Sequence, residues 1–290
     1  MARQAAYLAV DIGGTKMACG IVATDGTLLH SDRCATPATG VWDALAELVS
    51  RTQQRAVVHE LVALGVGCGG PMSDQGDKVS NLHIKEWQEF PLRSSLASLT
   101  GLATFVDNDA KAIVLGEAWC GAAVGQRDVI GMVVSTGVGG GIISDGRLLD
   151  GHTGNSGHIG HVNVVPDGRE CKCGARGCLE AVASGTAIET MTGRPAAQAS
   201  PVVVEQTGVY VGRAIASVAA LLDLRLAVVG GSVALGFGQP FFVAAQREID
   251  RYARIRFVRG VGVRPTSLGA DAPLVGAAAV ARRAGSPTVN

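Results

Sequence analysis

Tyr7-Leu8-Ala9-Val10-Asp11-Ile12-Gly13-Gly14-Thr15-Lys16 decides how this chain is read, because its pattern occurs twice. Tyr7 to Val10 is a short apolar run of strand length, and it runs into a polar, glycine-rich turn. Apolar residues continue to Ala23, Asp25-Gly26 supplies a hairpin turn, and Thr27-Leu28-Leu29 follows. The same order returns from Val129 to Val134 through Ser135-Thr136-Gly137-Val138-Gly139-Gly140-Gly141, then Ile142-Ile143, Asp145-Gly146 and Leu148-Leu149. The chain reads as an internal duplication of strand, glycine turn, strand, hairpin, strand.

Between the copies, Val41, Leu45, Leu48, Val49, Thr52 and Ala56 share one helical face, and Leu61 to Val66 forms a further strand. A second helix is expected after Asn108, carrying Ala110, Ile113, Val114 and Glu117 toward Gly121. In the later half, Val203 to Leu222 reads as a long helix and Leu226 to Val229 as a buried strand. Alternating strands and helices in both halves predict an α/β protein of two similar lobes, hinged near Trp119 to Gly125.

A tight turn such as Gly13-Gly14-Thr15-Lys16 leaves N–H groups and a hydroxyl free to meet an anion, with no Cβ atoms blocking the approach. Forty glycines make some clustering inevitable, so one such turn is weak evidence. Two matched turns, the second containing Thr136, Gly137 and Gly139, point to phosphate. Neither has the P-loop or dinucleotide spacing. Asp11 adds a carboxylate where a hydrated Mg²⁺ bridging phosphates could use it. A third turn, Gly230-Gly231-Ser232, follows a buried strand and leaves room for a flat adenine ring against the backbone.

His161, Cys171, Cys173 and Cys178 have the composition of a tetrahedral Zn²⁺ shell. Four protein ligands leave no open position, so the expected metal is structural. His158 and Glu180 flank this set without being needed by it. Val106-Asp107-Asn108-Asp109 follows a short strand, Ala103 to Val106, and precedes a helix. Asn108 or Asp107 capping that helix accounts for the polar run without chemistry. A carboxylate at that strand end also suits a general base for phosphoryl transfer, and the two phosphate turns favour Asp109 in that role.

A formal net charge of zero and the lack of a Lys/Arg run argue against nucleic acid or an anionic membrane as partner. The apolar stretch at the N-terminus ends at Asp11, too early for an export signal, and Ala214 to Leu222 is too short to span a bilayer. Of seven cysteines, three have metal-ligand spacing, and Cys19, Cys34, Cys68 and Cys120 read as small buried residues. These features predict a cytoplasmic protein with reduced thiols.

Together these motifs resemble those of the ROK family of repressors, open reading frames and sugar kinases. Asp11 to Lys16 resembles its first phosphate motif, Gly67-Cys68-Gly69-Gly70-Pro71 its sugar loop, and Asn108-Asp109 its sugar-binding Asn and catalytic Asp. Thr136 to Gly141 resembles the second phosphate motif, Gly230-Gly231 the adenosine turn, and the cysteine cluster with Glu180 the family's zinc signature. The resemblance implies an actin-like, ribonuclease H-like ATPase fold whose two lobes close an interlobe cleft over a hexose and ATP. It implies lobes of residues 1–118 and 119–272, with a closing segment, 273–290, whose helix from Pro273 to Ala284 returns to the first lobe. Asp109 would be the base for the C6 hydroxyl, with Asn108, His161 and Glu180 on other ring hydroxyls. His161 would then use one ring nitrogen for zinc and the other for sugar. Gly70 and Asn81 would border the sugar; Trp87 reads equally as a packing residue, and Lys111 has no assigned role.

Many repressors of the family carry an N-terminal DNA-binding helical domain, and none is expected here because the phosphate motif starts at Asp11. An enzyme is therefore expected over a regulator or a sugar sensor without turnover; the resemblance implies a homodimer, with a dimer of dimers left open. ATP is the implied donor, with polyphosphate left open. His158 departs from the glutamate usual in the family's hexose kinases. Neutral imidazole can donate as well as accept, which suits the acetamido group of an N-acetylhexosamine. Gly157-His158-Ile159-Gly160-His161 and Val228 to Val233 also resemble the versions in bacterial N-acetylmannosamine kinases, while a glucokinase with a drifted residue stays open.

Overall fold

A computed structural model describes residues 3–73, 76–81 and 83–285. Residues 1 and 2 of the expected first lobe and 286–290 of the expected closing segment lie outside these. Strands β1 (Gln4–Ile12), β2 (Lys16–Ala23) and β3 (Leu28–Ala35) form an antiparallel meander. The Asp25-Gly26 turn is closed by Ala23 N–H on the Thr27 carbonyl at 2.9 Å and by Thr27 N–H on the Asp25 carboxylate at 2.9 Å. Then come α1 (Val41–Gln53), β4 (His59–Cys68), the short β5 (Met72–Ser73) and β6 (Lys78–Val79), α2 (Leu92–Thr100), β7 (Thr104–Asn108) and α3 (Asp109–Cys120).

The first sheet has the order β3-β2-β1-β4-β7, with β1, β4 and β7 parallel. Central β1 and β4 are buried on both faces over their later halves, whereas edge strand β3 alternates between half-buried and exposed. Helix α1 buries Val41, Leu45, Leu48, Val49 and Thr52, the expected face, and ends before Ala56.

The second series is β8 (Val129–Val134), β9 (Val138–Ser144), β10 (Arg147–Leu148), α4 (Glu180–Ala183), α5 (Gly185–Thr192), α6 (Pro201–Leu222), β11 (Leu226–Gly230), α7 (Ser232–Phe237), α8 (Gln239–Tyr252) and β12 (Gly262–Pro265). Its sheet runs β10-β9-β8-β11-β12, the same permutation as the first sheet, with β8, β11 and β12 parallel. The duplication read from the turns is thus a duplication of topology. Its core gathers Ile130, Met132, Val134, Ile215, Val229 and Phe241. Helices α6 and α8 approach closely because Gly208 and Gly212 carry no side chain: a Cβ on either would stand 2.5 Å from a carbonyl oxygen of α8.

Helix α9 (Ala272–Gly285) packs on β1, β4 and α3. It can lie that close because a Cβ on Gly65 of β4 would meet the Ala277 carbonyl, and one on Gly276 would stand 2.6 Å from the Ala112 carbonyl. Two compact units result. One holds the residues up to Gly121 with Asp150–Ser156 and the residues from Leu268; the other holds Ala122–Leu149 and Gly157–Ser267. Segment 150–156 joins the first unit because Asp150 pairs there with Lys111 and Arg283.

Cys19 and Cys68 are buried, but Cys34 and Cys120 are only half-buried, correcting the expectation for those two. The reason is placement: Cys34 is on edge strand β3 and Cys120 on the last turn of α3. No helix among the described residues is long and apolar enough to cross a membrane.

Candidate active site

In the first unit the parallel strands end level. Asp11 pairs across from Gly67 and Gly67 from Asp107; Ile12, Cys68 and Asn108 form the next row. This brings Asp11, the Gly67–Gly70 loop and Asn108-Asp109 to one carboxyl-terminal sheet edge, where open α/β sheets hold ligands. The Asp109 Cα and Asp11 Oδ1 lie 3.6 and 3.8 Å from the position a Cβ on Gly67 would take. Burial, with the nearby Asp109 charge, pushes the Asp11 carboxyl up to about 7, against the opposing pull of Lys16. A carboxyl pair of this kind fits a divalent cation, whose charge would hold Asp11 ionised.

Capping falls to Asn108, whose side chain accepts the Ala110 N–H at 3.0 Å. Asp109 is the first residue of α3, and its Oδ1 accepts the same N–H at 2.8 Å. In the first glycine turn, Gly13 N–H donates to the Lys16 carbonyl at 3.0 Å and the Gly13 carbonyl accepts the Thr36 hydroxyl at 2.7 Å. A Cβ on Gly14 would stand 2.4 Å from the Cβ of His83. Sequence reasoning missed Thr36 and His83, since nothing local marks residues that reach the turn from distant segments. Asn81 is buried and engaged with the backbone: its amide donates to the Gly69 carbonyl at 3.1 Å, and its Oδ1 accepts His83 N–H at 2.8 Å. It braces the loop that carries Gly70.

In the second unit, Gly230 is paired across from Val133, so Ser135-Thr136-Gly137 and Gly230-Gly231-Ser232 leave the sheet together. The Ser135 and Ser232 hydroxyls lie 2.9 Å apart. Gly231 has φ 93°, and a Cβ there would stand 2.4 Å from the Val134 carbonyl, so glycine is required at this position. The turn is braced by Gly185 N–H on the Ser135 carbonyl at 2.7 Å and by the Thr186 hydroxyl on the Thr136 carbonyl at 3.0 Å. Thr136 and Gly137 sit in the turn, whereas Gly139 lies inside β9, opposite Val133.

Segment 157–161 lies against β9: a Cβ on Gly160 would stand 2.3 Å from the Val138 carbonyl, and Ile159 enters the core. The His158 and His161 rings are 6.1 Å apart between centroids. Ligand atoms of His161, Cys171, Cys173 and Cys178 all lie within 4.8 Å of one another. Cys171 Sγ is 3.8 Å from His161 Nδ1, and Cys173 Sγ is 3.8 Å from Cys178 Sγ. Zn–S bonds of about 2.3 Å imply tetrahedral edges of about 3.8 Å, so the donor set fits zinc. Burial and the adjacent sulfurs push the Cys178 thiol up to about 12; a divalent cation would hold it as thiolate. Glu180 follows this cluster at the start of α4, and its carboxylate accepts the Val138 N–H at 2.9 Å.

Two sheets of one strand order, each closed by a glycine turn, define the actin-like ATPase fold. Residues 7–284 match the ROK family, and the chain belongs to it. It is 36% identical over 294 residues to the N-acetylmannosamine kinase of Citrobacter koseri, covering 95% of this chain and 98% of that one. It is 40% identical over 183 residues to the glucokinase of Streptomyces coelicolor, a match spanning 62% of this chain and 57% of that enzyme's length. A ROK family glucokinase from Streptomyces griseus, solved with glucose and AMPPNP, superposes with TM-score 0.81 at 32% identity, covering 96% of this chain and 99% of that one.

Proposed function

We propose that the chain transfers the γ-phosphoryl group of ATP to the C6 hydroxyl of N-acetylmannosamine, giving N-acetylmannosamine 6-phosphate and ADP. The observation that carries the kinase reading is the convergence of Asp11 and Asp109 on Gly67 at one sheet edge. In this reading the Asp109 carboxylate takes the hydroxyl proton as the sugar oxygen bonds to the γ-phosphorus and the bond to the β,γ-bridging oxygen breaks. ADP leaves with that oxygen. Asp11 would hold Mg²⁺, which when bound neutralises phosphate charge.

Gly13, Gly14, Thr15 and Lys16 of the first turn, and Thr136, Gly137 and Gly139 of the second, serve the phosphates; Gly230 and Gly231 serve the adenosine. Asn108, His158, His161 and Glu180 hold sugar hydroxyls or the acetamido group, and Gly70 and Asn81 shape the sugar loop. Zinc on His161, Cys171, Cys173 and Cys178 is structural. His161 faces the sulfur cluster through Nδ1, which leaves Nε2 for the sugar. The protein acts as a cytoplasmic homodimer.

His158 favours N-acetylmannosamine, as does the near full-length match to the Citrobacter koseri enzyme. Glucose is the second reading, favoured by the higher identity to the Streptomyces coelicolor glucokinase over its shorter match. An ADP-release assay on glucose, mannose, N-acetylglucosamine and N-acetylmannosamine tests the choice. The expected result is the highest kcat/KM on N-acetylmannosamine; a higher value on glucose overturns the first reading. Replacing ATP by polyphosphate in the same assay tests the donor.

A further inference from the structure

Lys111 lies in the first turn of α3, and its side chain is 2% exposed. Its Nζ is 2.9 Å from Asp107 Oδ1, 3.2 Å from Asp150 Oδ1 and 3.1 Å from the Gly154 carbonyl. Three ammonium protons thus face three acceptors. Arg283 of α9 completes the group, with Nη1 3.6 Å from Asp107 Oδ2 and 3.2 Å from Asp150 Oδ1 and Nη2 on Asp150 Oδ2. Two carboxylates and two cations make a neutral network.

The network joins three segments of the first unit: the junction of β7 and α3, segment 150–156, and α9. At one end, Asp107 Oδ1 also accepts the Asn108 N–H at 2.8 Å, fixing the backbone that leads into Asp109. At the other, Asp150 turns its own segment, its carbonyl accepting the Ser156 N–H at 3.0 Å, while the Asn155 amide donates to the Met72 carbonyl at 3.2 Å. His158 follows that segment by two residues.

Lys111 is buried and Asp107 nearly so, while Asp150 and Arg283 are part-exposed. Burying such a pair contributes little net stability, because desolvation opposes the ionic attraction, although removing one member leaves an uncompensated charge. We propose that Lys111 is a positioning residue: through Asp107 it sets the backbone carrying Asn108 and Asp109, and through Asp150 and Gly154 it clamps segment 150–156. This rests on Asp109 being the base. Lys111 touches neither reactant in this role, so its loss lowers kcat and leaves the KM for ATP nearly unchanged.

The test compares Lys111→Met, Lys111→Arg, the double variant Asp107→Asn/Lys111→Met, and Asp109→Asn, each with steady-state kinetics and thermal unfolding. Lys111→Met is expected to lower kcat by about 10- to 100-fold, as a misplaced catalytic group does, with the ATP KM within about twofold. Lys111→Arg, which keeps the charge, recovers part of that loss. The double variant removes the excess negative charge that Lys111→Met leaves in the network, so it regains thermal stability but not kcat. Lys111→Met at wild-type kcat overturns the proposal, and so does a double variant that regains kcat along with stability. Asp109→Asn separates the two readings. If it retains turnover, the base assignment fails and the positioning role falls with it; if it is inactive while Lys111→Met is not, the positioning role alone fails.

Discussion

The Glu180 carboxylate accepts the Val138 N–H at 2.9 Å, and the same oxygen would stand 3.0 Å from a Cβ on Gly137. The acid that trails the cysteine cluster is therefore fastened to the second glycine turn. The segment after the cysteine cluster and the second glycine turn of this unit thus share one side chain.

That sharing predicts how Glu180 variants divide. Glu180→Gln keeps an acceptor for Val138, so it raises the sugar KM while the ATP KM stays within about threefold. Glu180→Ala leaves the Val138 N–H unsatisfied and raises both; the loss of a hydrogen bond to a charged group corresponds to about 10- to 100-fold. Initial rates with each substrate varied in turn check this. An unchanged ATP KM in Glu180→Ala would separate the two sites.

Asp109→Asn retains the shape and the acceptor for Ala110 but cannot take a proton. Turnover is expected to fall by about 10²- to 10⁴-fold, the contribution typical of general base catalysis. Calorimetric sugar affinity should stay within a few-fold, and metal content should not change.

Asp11 gives a pH prediction. Its carboxyl is raised from 3.8 to about 7 in the folded state, mainly by burial and then by Asp109. Between those values the folded state binds a proton that the unfolded state lacks, so without Mg²⁺ and nucleotide this group lowers stability as pH rises from 3.8 toward about 7. Asp11→Asn should therefore raise the Tm at pH 7.5, by roughly a few °C, and change it little below pH 4. Equal Tm gains at both pH values would exclude burial of that charge as the cause.

The sulfur and imidazole set predicts about one zinc per chain by elemental analysis, lost in Cys173→Ser. Stripping the metal with a chelator should raise the sugar KM at concentrations that leave far-UV circular dichroism unchanged, since none of the four ligands lies in a β-strand. Concurrent loss of helix and strand signal would make the metal a requirement for the whole second unit.

Gly276→Val places branched carbon where a Cβ already meets the Ala112 carbonyl at 2.6 Å. Helix α9 must then move off α3 and β4. Overpacking of this kind costs about 1–3 kcal/mol, observable as a lower urea midpoint. An unchanged midpoint would mean that α9 shifts freely on its neighbours.

The sequence by itself determined the duplicated strand and turn order, the gathering of His161 with Cys171, Cys173 and Cys178, and the place of Asn108-Asp109 between a strand and a helix, because each is written in near neighbours whose period or spacing is local. It also determined that α1 buries Val41, Leu45 and Leu48, since a helical period leaves one apolar face. What only the tertiary structure decided depends on partners far apart in the chain. Lys111 has no role in the sequence alone and acquires one from Asp150 and Gly154, and Asn81, expected at the sugar, is engaged instead with Gly69 and His83. Gly139 reads as part of a turn in a glycine run, yet pairing with Val133 draws it into β9. Local sequence fixes which backbone shapes a segment can take. Burial and hydrogen bonds from distant segments select among them, and those energies exist only once the chain has folded.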